Sequence, residues 1–359
     1  MLSKRKKIGF VSYWGWGRGQ AYLNLCYAKM LIPEYDIYIL KQGSNPINDE
    51  FKIDVTVLEH SEYVIEPETL KKWIETNKLD AVVFSEYNQW SNDGNNLVKV
   101  ANDCGVRTYG FLVWEKWTGK DAYSDYDKII APTVSFERFC RANKVRNFKY
   151  LPYSIDLTEF PHPDDVITTP RSKFTFFHPG GWGGVHNRKN TDIVIEAFKL
   201  LDDDNTKLVI SSQKKLDKTT IPKNVEIVDK NMTRKEMIAL YYDCDAVLLP
   251  SKWETIGLPM LEALAAGKPV ITTNAPPMNE FIIEGTNGYV VNCEMVKYPD
   301  IGIYVCDVSA GALKNKMINI KNKMLYGLLS KNSRYIVEKI YNLENNKKYF
   351  LDFLKKDLK

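Results

Sequence analysis

Two glutamates eight positions apart, Glu254 and Glu262, have the type and spacing to take part in chemistry. Glu254 is predicted to lie in a loop after the buried strand 246–250, and Glu262 in the first turn of a helix whose first position suits Pro259. Each carboxylate could accept hydrogen bonds from vicinal hydroxyls, one pair on a sugar and the other on a ribose. The beginning of the helix would suit a diphosphate, because its first backbone N–H groups have no partner within the helix. These groups belong to Thr255, Ile256 and Gly257.

A second group of candidate residues follows the predicted strand Phe174–His178. Gly180 and Gly181 allow close approach of the backbone, because they carry no Cβ. Arg188 has a planar guanidinium that suits phosphate oxygens, and Lys189 adds a second positive charge directly before a predicted helix.

Simpler roles stay open for all four charged residues. Glu262 could only stabilise the helix dipole, and Glu254 could be a surface residue. Arg188 and Lys189 could be solvated loop charges.

The turn Gly15–Gly19 opens the predicted helix Gln20–Leu31. It is a poor match to a dinucleotide site, because its third glycine is misplaced and the second strand runs into Lys41 without a ribose-binding acid. The alternative is a tight turn against which Trp14 and Trp16 pack.

Short β-rich runs alternate with helical segments along both halves of the chain, which predicts parallel sheets covered by helices. The fold class is therefore α/β, with two Rossmann-like doubly wound domains facing a central cleft. A stretch rich in Pro, Asp and Thr predicts the linker between them. The predicted divisions are an N-terminal domain at 1–156, a linker at 157–172, a C-terminal domain at 173–330, and a C-terminal helix at 331–359 that could cross back to the first domain.

The composition is that of an ordinary globular protein. The chain has 359 residues, of which 44% are hydrophobic and 26% charged, and its net charge of +4 does not indicate a nucleic-acid binder. No run of 18 apolar residues and no leader with a cleavage site is present, so we expect a cytoplasmic protein, at most peripheral to a membrane. The six cysteines form no Cys-x-x-Cys pair and are expected to be buried free thiols.

The residues from Glu254 to Glu262, with the sequence Glu-Thr-Ile-Gly-Leu-Pro-Met-Leu-Glu, resemble the E-x7-E signature of retaining glycosyltransferases of family 4, which have the two-domain GT-B fold. The resemblance is strong over roughly residues 130–292. Further matching segments are Ala131–Ser135, Leu151–Asp156, Tyr241–Ser251 and Asn279–Gly288.

This resemblance implies a nucleotide-sugar donor held mainly by the second domain. Glu262 would bind the ribose hydroxyls, Glu254 would contact the transferred sugar, and Lys189 would neutralise the diphosphate. The family arginine normally lies a few residues earlier, so Arg188 would replace it here. The implied catalytic residues are Glu254, Lys189 and Arg188, and the implied donor-binding residues are Gly17, Gly180, Gly181, Thr255, Ile256, Gly257, Leu258 and Glu262.

The acceptor side departs from the family pattern. Many members carry a histidine after a later strand of the first domain, where this chain has Trp114 and Glu115. Glu115 could bind a hydroxyl or form a structural salt bridge. Aromatic side chains that could stack on a sugar, or else only pack, are Trp14, Trp16, Trp114, Trp117 and Trp182.

No metal ion is expected, although three Asp-x-Asp sequences occur, at Asp125–Asp127, Asp202–Asp204 and Asp243–Asp245. Such pairs hold a divalent cation in glycosyltransferases of the other major fold. Here Lys189, Arg188 and the helix N-terminus would supply the positive charge instead.

The predicted function is transfer of a hexose, with retention of configuration, from a nucleotide diphosphate sugar to an acceptor hydroxyl. GDP-mannose is weakly preferred over a UDP-hexose as donor, and no further cofactor is expected. The acceptor would be a glycan, glycolipid or glycoprotein, and nucleic acid is not expected as a partner. A homodimer and peripheral membrane contact stay open. The alternatives are an epimerase or phosphorylase of the same fold, or a catalytically silent glycan-binding module.

Overall fold

The chain is described from a computed structural model. It covers residues 5–17, 19–85, 96–111, 113, 117, 119–167, 170–181, 187–213, 215–216, 221–297 and 304–359. Backbone contacts divide the chain into two units. The first consists of Met1–Ser154 together with Leu343–Lys359, and the second of Ile155–Asn342.

The first unit is a parallel seven-stranded sheet with the strand order β3-β2-β1-β4-β5-β6-β7. Its strands are β1 (Lys7–Ser12), β2 (Asp36–Gln42), β3 (Thr56–His60), β4 (Ala81–Phe84), β5 (Arg107–Phe111), β6 (Lys128–Ala131) and β7 (Phe148–Tyr150). Its first four helices are α1 (Gly19–Leu31), α2 (Pro67–Asn77), α3 (Leu97–Asp103) and α4 (Val134–Ala142). The central strand β4 is buried at every position, as expected for a parallel sheet covered on both faces.

The second unit contains a parallel six-stranded sheet with the order β10-β9-β8-β11-β12-β13. Its strands are β8 (Phe174–Gly181), β9 (Thr206–Ser212), β10 (Val225–Val228), β11 (Ala246–Leu249), β12 (Val270–Thr273) and β13 (Gly288–Val291), and a separate antiparallel hairpin is formed by β14 (Glu294–Lys297) and β15 (Tyr304–Asp307). Its helices are α5 (Thr191–Leu201), α6 (Arg234–Tyr242), α7 (Leu258–Ala265), α8 (Met278–Phe281), α9 (Ala310–Ile320) and α10 (Lys323–Ile336), the last continuing into a π-helical turn at Val337–Tyr341.

The chain ends with α11 (Leu343–Asp357), which belongs to the first unit. The ring of Phe350 on α11 lies 4.5 Å from the ring of Tyr27 on α1, centroid to centroid. Residues 157–172, for which the sequence predicts a linker, lie in the second unit. Residues 331–342, predicted as part of the crossing helix, also lie in the second unit.

The expectation that all cysteines are free thiols is wrong for one pair. Cys293 and Cys306 form a disulfide, with their Cα atoms 5.4 Å apart. The hairpin register places Cys306 opposite Met295, which brings Cys293 beside it although the two cysteines are 13 positions apart. Composition and spacing could not reveal this, because the hairpin itself carries no apolar alternation.

No helix among the residues that the structure describes has the length and apolar character needed to cross a membrane.

Candidate active site

The order of the strands locates the candidate site. In the second sheet the chain winds outward in one direction from β8 and in the other from β11, so the topological switch point lies between these two neighbouring strands. Ligands of doubly wound sheets bind outside the carboxyl ends of the strands at such a point. Arg188 and Lys189 follow β8, and Glu254 follows β11. Parallel pairing of the two strands thus brings the two predicted loops to one edge.

Side chains from neighbouring elements fix the backbone where β11 ends. Four consecutive carbonyl oxygens, from Leu248 to Ser251, each accept a hydrogen bond from a side chain. The donors are, in order, His178 Nδ1 (2.7 Å), Thr272 Oγ1 (2.8 Å), Asn190 Nδ2 (2.8 Å) and Thr273 Oγ1 (2.7 Å). The loop that carries Glu254 therefore begins from a rigid platform.

Glu254 lies at the centre of a buried charge cluster and is only 5% exposed. Its Oε2 accepts a hydrogen bond from Arg188 Nη1 at 2.8 Å. Its Oε1 accepts from Lys189 Nζ and, at 2.8 Å, from Ser251 Oγ. Burial raises the pKa of the Glu254 carboxyl, but Arg188 and Lys189 outweigh burial and hold that pKa at about 2. The carboxylate is thus ionised at neutral pH, and the cluster has one positive charge in excess.

The two basic residues are held by the loop that precedes α5. The backbone N–H of Lys252 donates to the carbonyl of Arg188 at 2.8 Å, which ties this loop to the one after β11. Asn190 adopts a left-handed conformation directly before α5 and donates to Pro250. The possibility that Arg188 and Lys189 are merely solvated charges does not fit this geometry, because both are engaged by the same buried carboxylate.

His178 lies on β8 and is fully buried. Its Nδ1 donates to the Leu248 carbonyl, so its Nε2 accepts the hydroxyl proton of Thr191 at 2.9 Å. Burial lowers the pKa of His178 to about 4. The neutral ring therefore links β11 to the beginning of α5.

The beginning of α7 carries the next predicted residues. Gly257 has a φ of 75° and the helix begins at Leu258, so Thr255, Ile256 and Gly257 immediately precede it. The left-handed φ favours glycine, and a Cβ at this position would lie 2.1 Å from Cε of Met260.

The prediction that Glu262 lies in the first turn of this helix is wrong by about one residue. It is the fifth residue of α7, since the helix begins at Leu258, and its side chain points into the protein at 3% exposure. Its Oε1 accepts a hydrogen bond from Arg234 Nη1 and its Oε2 accepts one from the hydroxyl of Tyr241 at 2.8 Å. A role limited to the helix dipole therefore does not account for this carboxylate.

The predicted glycines differ in their surroundings. Gly181 has a φ of 54°, and a Cβ there would have no atom within 4 Å, whereas a Cβ on Gly180 would lie 3.0 Å from the Ser211 carbonyl oxygen. The close approach at Gly180 is thus to the protein's own backbone. Gly17 is exposed in the turn after β1 and belongs to the first unit.

The aromatic residues proposed for the acceptor side have packing partners where the structure describes them. Trp14 is fully buried, with its ring 5.2 Å from that of Phe51. Trp16 lies 6.2 Å from the Tyr13 ring, and Trp117 lies 4.8 Å from Phe139. Trp114, Glu115 and Trp182 lie outside the described residues.

Aspartates of the three Asp-x-Asp sequences take part in structural contacts. Asp127 pairs with Arg107 at 2.6 Å, Asp245 pairs with Arg171 at 2.7 Å, and Asp203 pairs with Lys321. In the part of the chain that the structure describes, no three His, Cys, Asp or Glu side chains are grouped as metal ligands.

Several side chains of the site were not assigned a role from the sequence, among them Ser251, Thr191, Arg234 and Tyr241. Ser251 and Tyr241 lie within a segment that resembles family 4, which was the available signal. Arg234 had none, because it precedes Glu262 by 28 positions and meets it only in the folded chain.

Comparison with known proteins agrees with this geometry. Residues 183–297 match the family model described as glycosyl transferases group 1, a stretch that contains Arg188, Lys189, Glu254 and Glu262. Residues 183–297 belong to the group 1 glycosyltransferase family. This confirms the family that the E-x7-E pattern indicated.

Curated relatives match only part of the chain. An uncharacterized glycosyltransferase of Sulfolobus islandicus rod-shaped virus 1 is 30% identical over 128 residues, which is 33% of this chain and 37% of the relative. The chain spans well under half the length of the first curated relatives it matches.

Solved structures match the chain over nearly its full length. A glycosyltransferase from Rickettsia africae has a TM-score of 0.75 at 15% identity and covers 99% of both chains. HepE of Anabaena, solved with UDP-glucose, has a TM-score of 0.72 at 14% identity and covers 98% of this chain and 99% of its own. The α/β fold is thus the predicted GT-B fold.

Proposed function

We propose that the chain transfers a hexosyl group, with retention of configuration, from a nucleotide diphosphate sugar to an acceptor hydroxyl. The observation that supports this most directly is the buried cluster of Glu254, Arg188 and Lys189. It lies at the switch point of the second sheet, and its two cations exceed the charge of the carboxylate. Such a cluster suits a ligand that carries both phosphates and hydroxyls.

The donor diphosphate would be bound by Arg188 and Lys189. Both side chains can bring positive charge to the phosphate oxygens, and the backbone that precedes α7 adds N–H donors and the positive end of the helix dipole. The backbone positions proposed to contact the diphosphate are Gly180 and Gly181 at the end of β8, and Thr255, Ile256, Gly257 and Leu258 at the beginning of α7. Gly17, in the first unit, stays a prediction.

The two glutamates would read the sugars of the donor. Glu254 would accept hydrogen bonds from hydroxyls of the transferred hexose, because its ionised carboxylate is a strong acceptor. Glu262 would accept hydrogen bonds from the ribose hydroxyls.

The reaction would depend on orientation and on stabilising the leaving group rather than on a covalent nucleophile. The bond between the anomeric carbon and the β-phosphate oxygen breaks, and the acceptor oxygen bonds to the same face of that carbon. The acceptor hydroxyl proton passes to the departing phosphate. Arg188 and Lys189 stabilise the negative charge that develops on the diphosphate.

The proposal leaves open which base and which sugar the donor carries. The similar HepE of Anabaena was solved with UDP-glucose, which favours the UDP-hexose alternative. GDP-mannose stays a prediction.

Isothermal titration calorimetry with UDP-glucose, GDP-mannose, UDP and GDP tests this proposal, first without metal and then with magnesium. We expect binding of one base without metal, and at least a tenfold weaker affinity for Lys189→Ala, because one charge-assisted contact contributes about 1.5–3 kcal/mol. A matched control is Lys321→Ala, since Lys321 pairs with Asp203, which precedes β9 and so lies at the opposite edge of the sheet. Equal affinity of Lys189→Ala and the unmodified protein would contradict the proposed phosphate site.

A further inference from the structure

Arg234 connects two carboxylates of the second unit, the buried Glu262 and the partly buried Glu159. It is the first residue of α6, and its side chain is only 10% exposed. Its Nε lies 3.0 Å from Oε2 of Glu159, its Nη1 donates to Oε1 of Glu262, and its guanidinium carbon lies 5.4 Å from the centre of the Phe160 ring. One guanidinium thus holds the segment before β8 and helix α7 at the same time.

The beginning of α6 is itself well fixed, so the guanidinium has a defined origin. Thr233 and Glu236 form a capping box, in which the Thr233 hydroxyl accepts from the Glu236 N–H and the Glu236 carboxylate accepts from the Thr233 N–H. The side chain of Arg234 therefore extends from a rigid first turn.

Glu262 is held from α6 at two points. Arg234 and Tyr241 are seven residues apart, which places them on the same face of a helix about two turns from each other. Arg234 engages Oε1 of Glu262, and the Tyr241 hydroxyl donates to Oε2 at 2.8 Å. Two anchors on different oxygens fix both the position and the rotation of the carboxylate.

The remaining acceptor capacity of Glu262 fits a vicinal diol. An ionised carboxylate has about four lone-pair positions on its two oxygens. The two anchors use one on each oxygen, which leaves one on each oxygen for a ligand. The 2′- and 3′-hydroxyls of a ribose are a pair of donors with this spacing.

We propose that Arg234 is a positioning residue that aims Glu262 at the ribose hydroxyls of the donor. The inference rests on the proposed role of Glu262. Lysine could not replace Arg234, because a single ammonium on a flexible stem lacks the planar fork that engages Glu159 and Glu262 together. Arg234 acts through Glu262 and does not itself contact the ribose.

The test compares the affinity for a nucleoside diphosphate with that for its 2′,3′-dideoxy analogue, using UDP or GDP, whichever binds. For the unmodified protein we expect the analogue to bind roughly 10- to 100-fold more weakly, the ratio for lost hydrogen bonds to a charged group. Glu262→Gln should reduce this ratio severalfold. Arg234→Gln and Arg234→Lys should reduce it to less than about threefold.

Arg171→Gln is the matched control. Like Arg234, Arg171 pairs with a carboxylate of the second unit, that of Asp245. Asp245 precedes β11, so this pair lies at the edge of the sheet opposite the site. The ratio of the two affinities in Arg171→Gln should equal that of the unmodified protein. Tyr241→Phe removes one anchor with little change in volume and should give an intermediate ratio, which keeps the test available if the Arg234 variants fail to fold.

Two results would overturn the inference in different ways. If the Arg234 and Tyr241 variants weaken both ligands equally and keep the ratio, these side chains serve stability and do not position Glu262. If the unmodified protein binds the analogue as tightly as the nucleotide, Glu262 does not bind ribose, and that part of the proposed function fails with the inference.

Discussion

At the scale of single residues, the protonation of His178 can be followed without substrate, because it changes the stability of the protein. Its ring is buried, donates to Leu248 and accepts from Thr191, so the neutral form is the one that the fold stabilises. Burial lowers its pKa from 6.5 to about 4. Between these values the unfolded chain binds a proton that the folded chain does not.

We therefore predict that His178 makes the free energy of unfolding fall as the pH decreases from about 6.5 to about 4. The stabilisation is complete above 6.5, and its loss is on the order of 3 kcal/mol. His178→Gln should remove this slope and lower stability at pH 7, measured by urea denaturation at several pH values. His162→Gln, at an exposed position, is the control and should keep the slope. An unchanged slope in His178→Gln would contradict the assignment.

At the scale of elements, the beginning of α7 depends on one glycine. Gly257 has a φ of 75°, and a Cβ there would lie 2.1 Å from Cε of Met260. The methionine end could move aside, but the left-handed conformation would remain costly for any other residue.

We predict that Gly257→Ala lowers the free energy of unfolding by about 1–2 kcal/mol and weakens nucleotide binding, because the backbone before α7 must shift. Denaturant unfolding and calorimetry measure the two effects. Gly327→Ala is the control, since Gly327 lies inside α10 with open space around its Cα, and it should be neutral or stabilising by up to ~1 kcal/mol. Full stability and affinity in Gly257→Ala would show that the strained turn is not needed.

Helices and strands with a buried face could be predicted from the sequence, whereas exposed ones could not. The predicted helix Gln20–Leu31 differs from α1 by one residue, and the predicted strand Phe174–His178 begins where β8 begins. The edge strand β3 was missed because most of its residues are partly or fully exposed, and its Leu58 is exposed. The hairpin strand β14 is exposed at every position, so neither it nor the disulfide beside it left an apolar pattern.

The residues of the candidate site were likewise predicted only in part. Glu254, Glu262, Arg188 and Lys189 were found because they lie in short segments that resemble a known family. The partners of these residues were not found, because they lie far away in the chain. Arg188 and Lys189 both pair with Glu254, and Arg234 pairs with Glu262.

At the scale of the whole molecule, the first unit is built from both ends of the chain. Helix α11 lies against α1, and Phe350 is 5% exposed beside Tyr27. The core of this unit is therefore incomplete without residues 343–359.

We predict that Phe350→Ala lowers the free energy of unfolding by about 3–5 kcal/mol, because it removes a buried ring and leaves a cavity. Tyr349→Ala, next to it in sequence but 64% exposed, should change stability by less than about 0.5 kcal/mol. Thermal and denaturant unfolding of both variants give the comparison. Similar losses in the two variants would mean that α11 does not stabilise the first unit through this contact.

The return of the chain at residue 343 also sets an order during synthesis. The second unit is one continuous segment, Ile155–Asn342, whereas the first lacks α11 until the ribosome has made residues 343–359. The unit whose sequence emerges first is therefore the one whose core is completed last. Until then the apolar side of α1 around Tyr27 lacks its cover from α11 in the nascent chain.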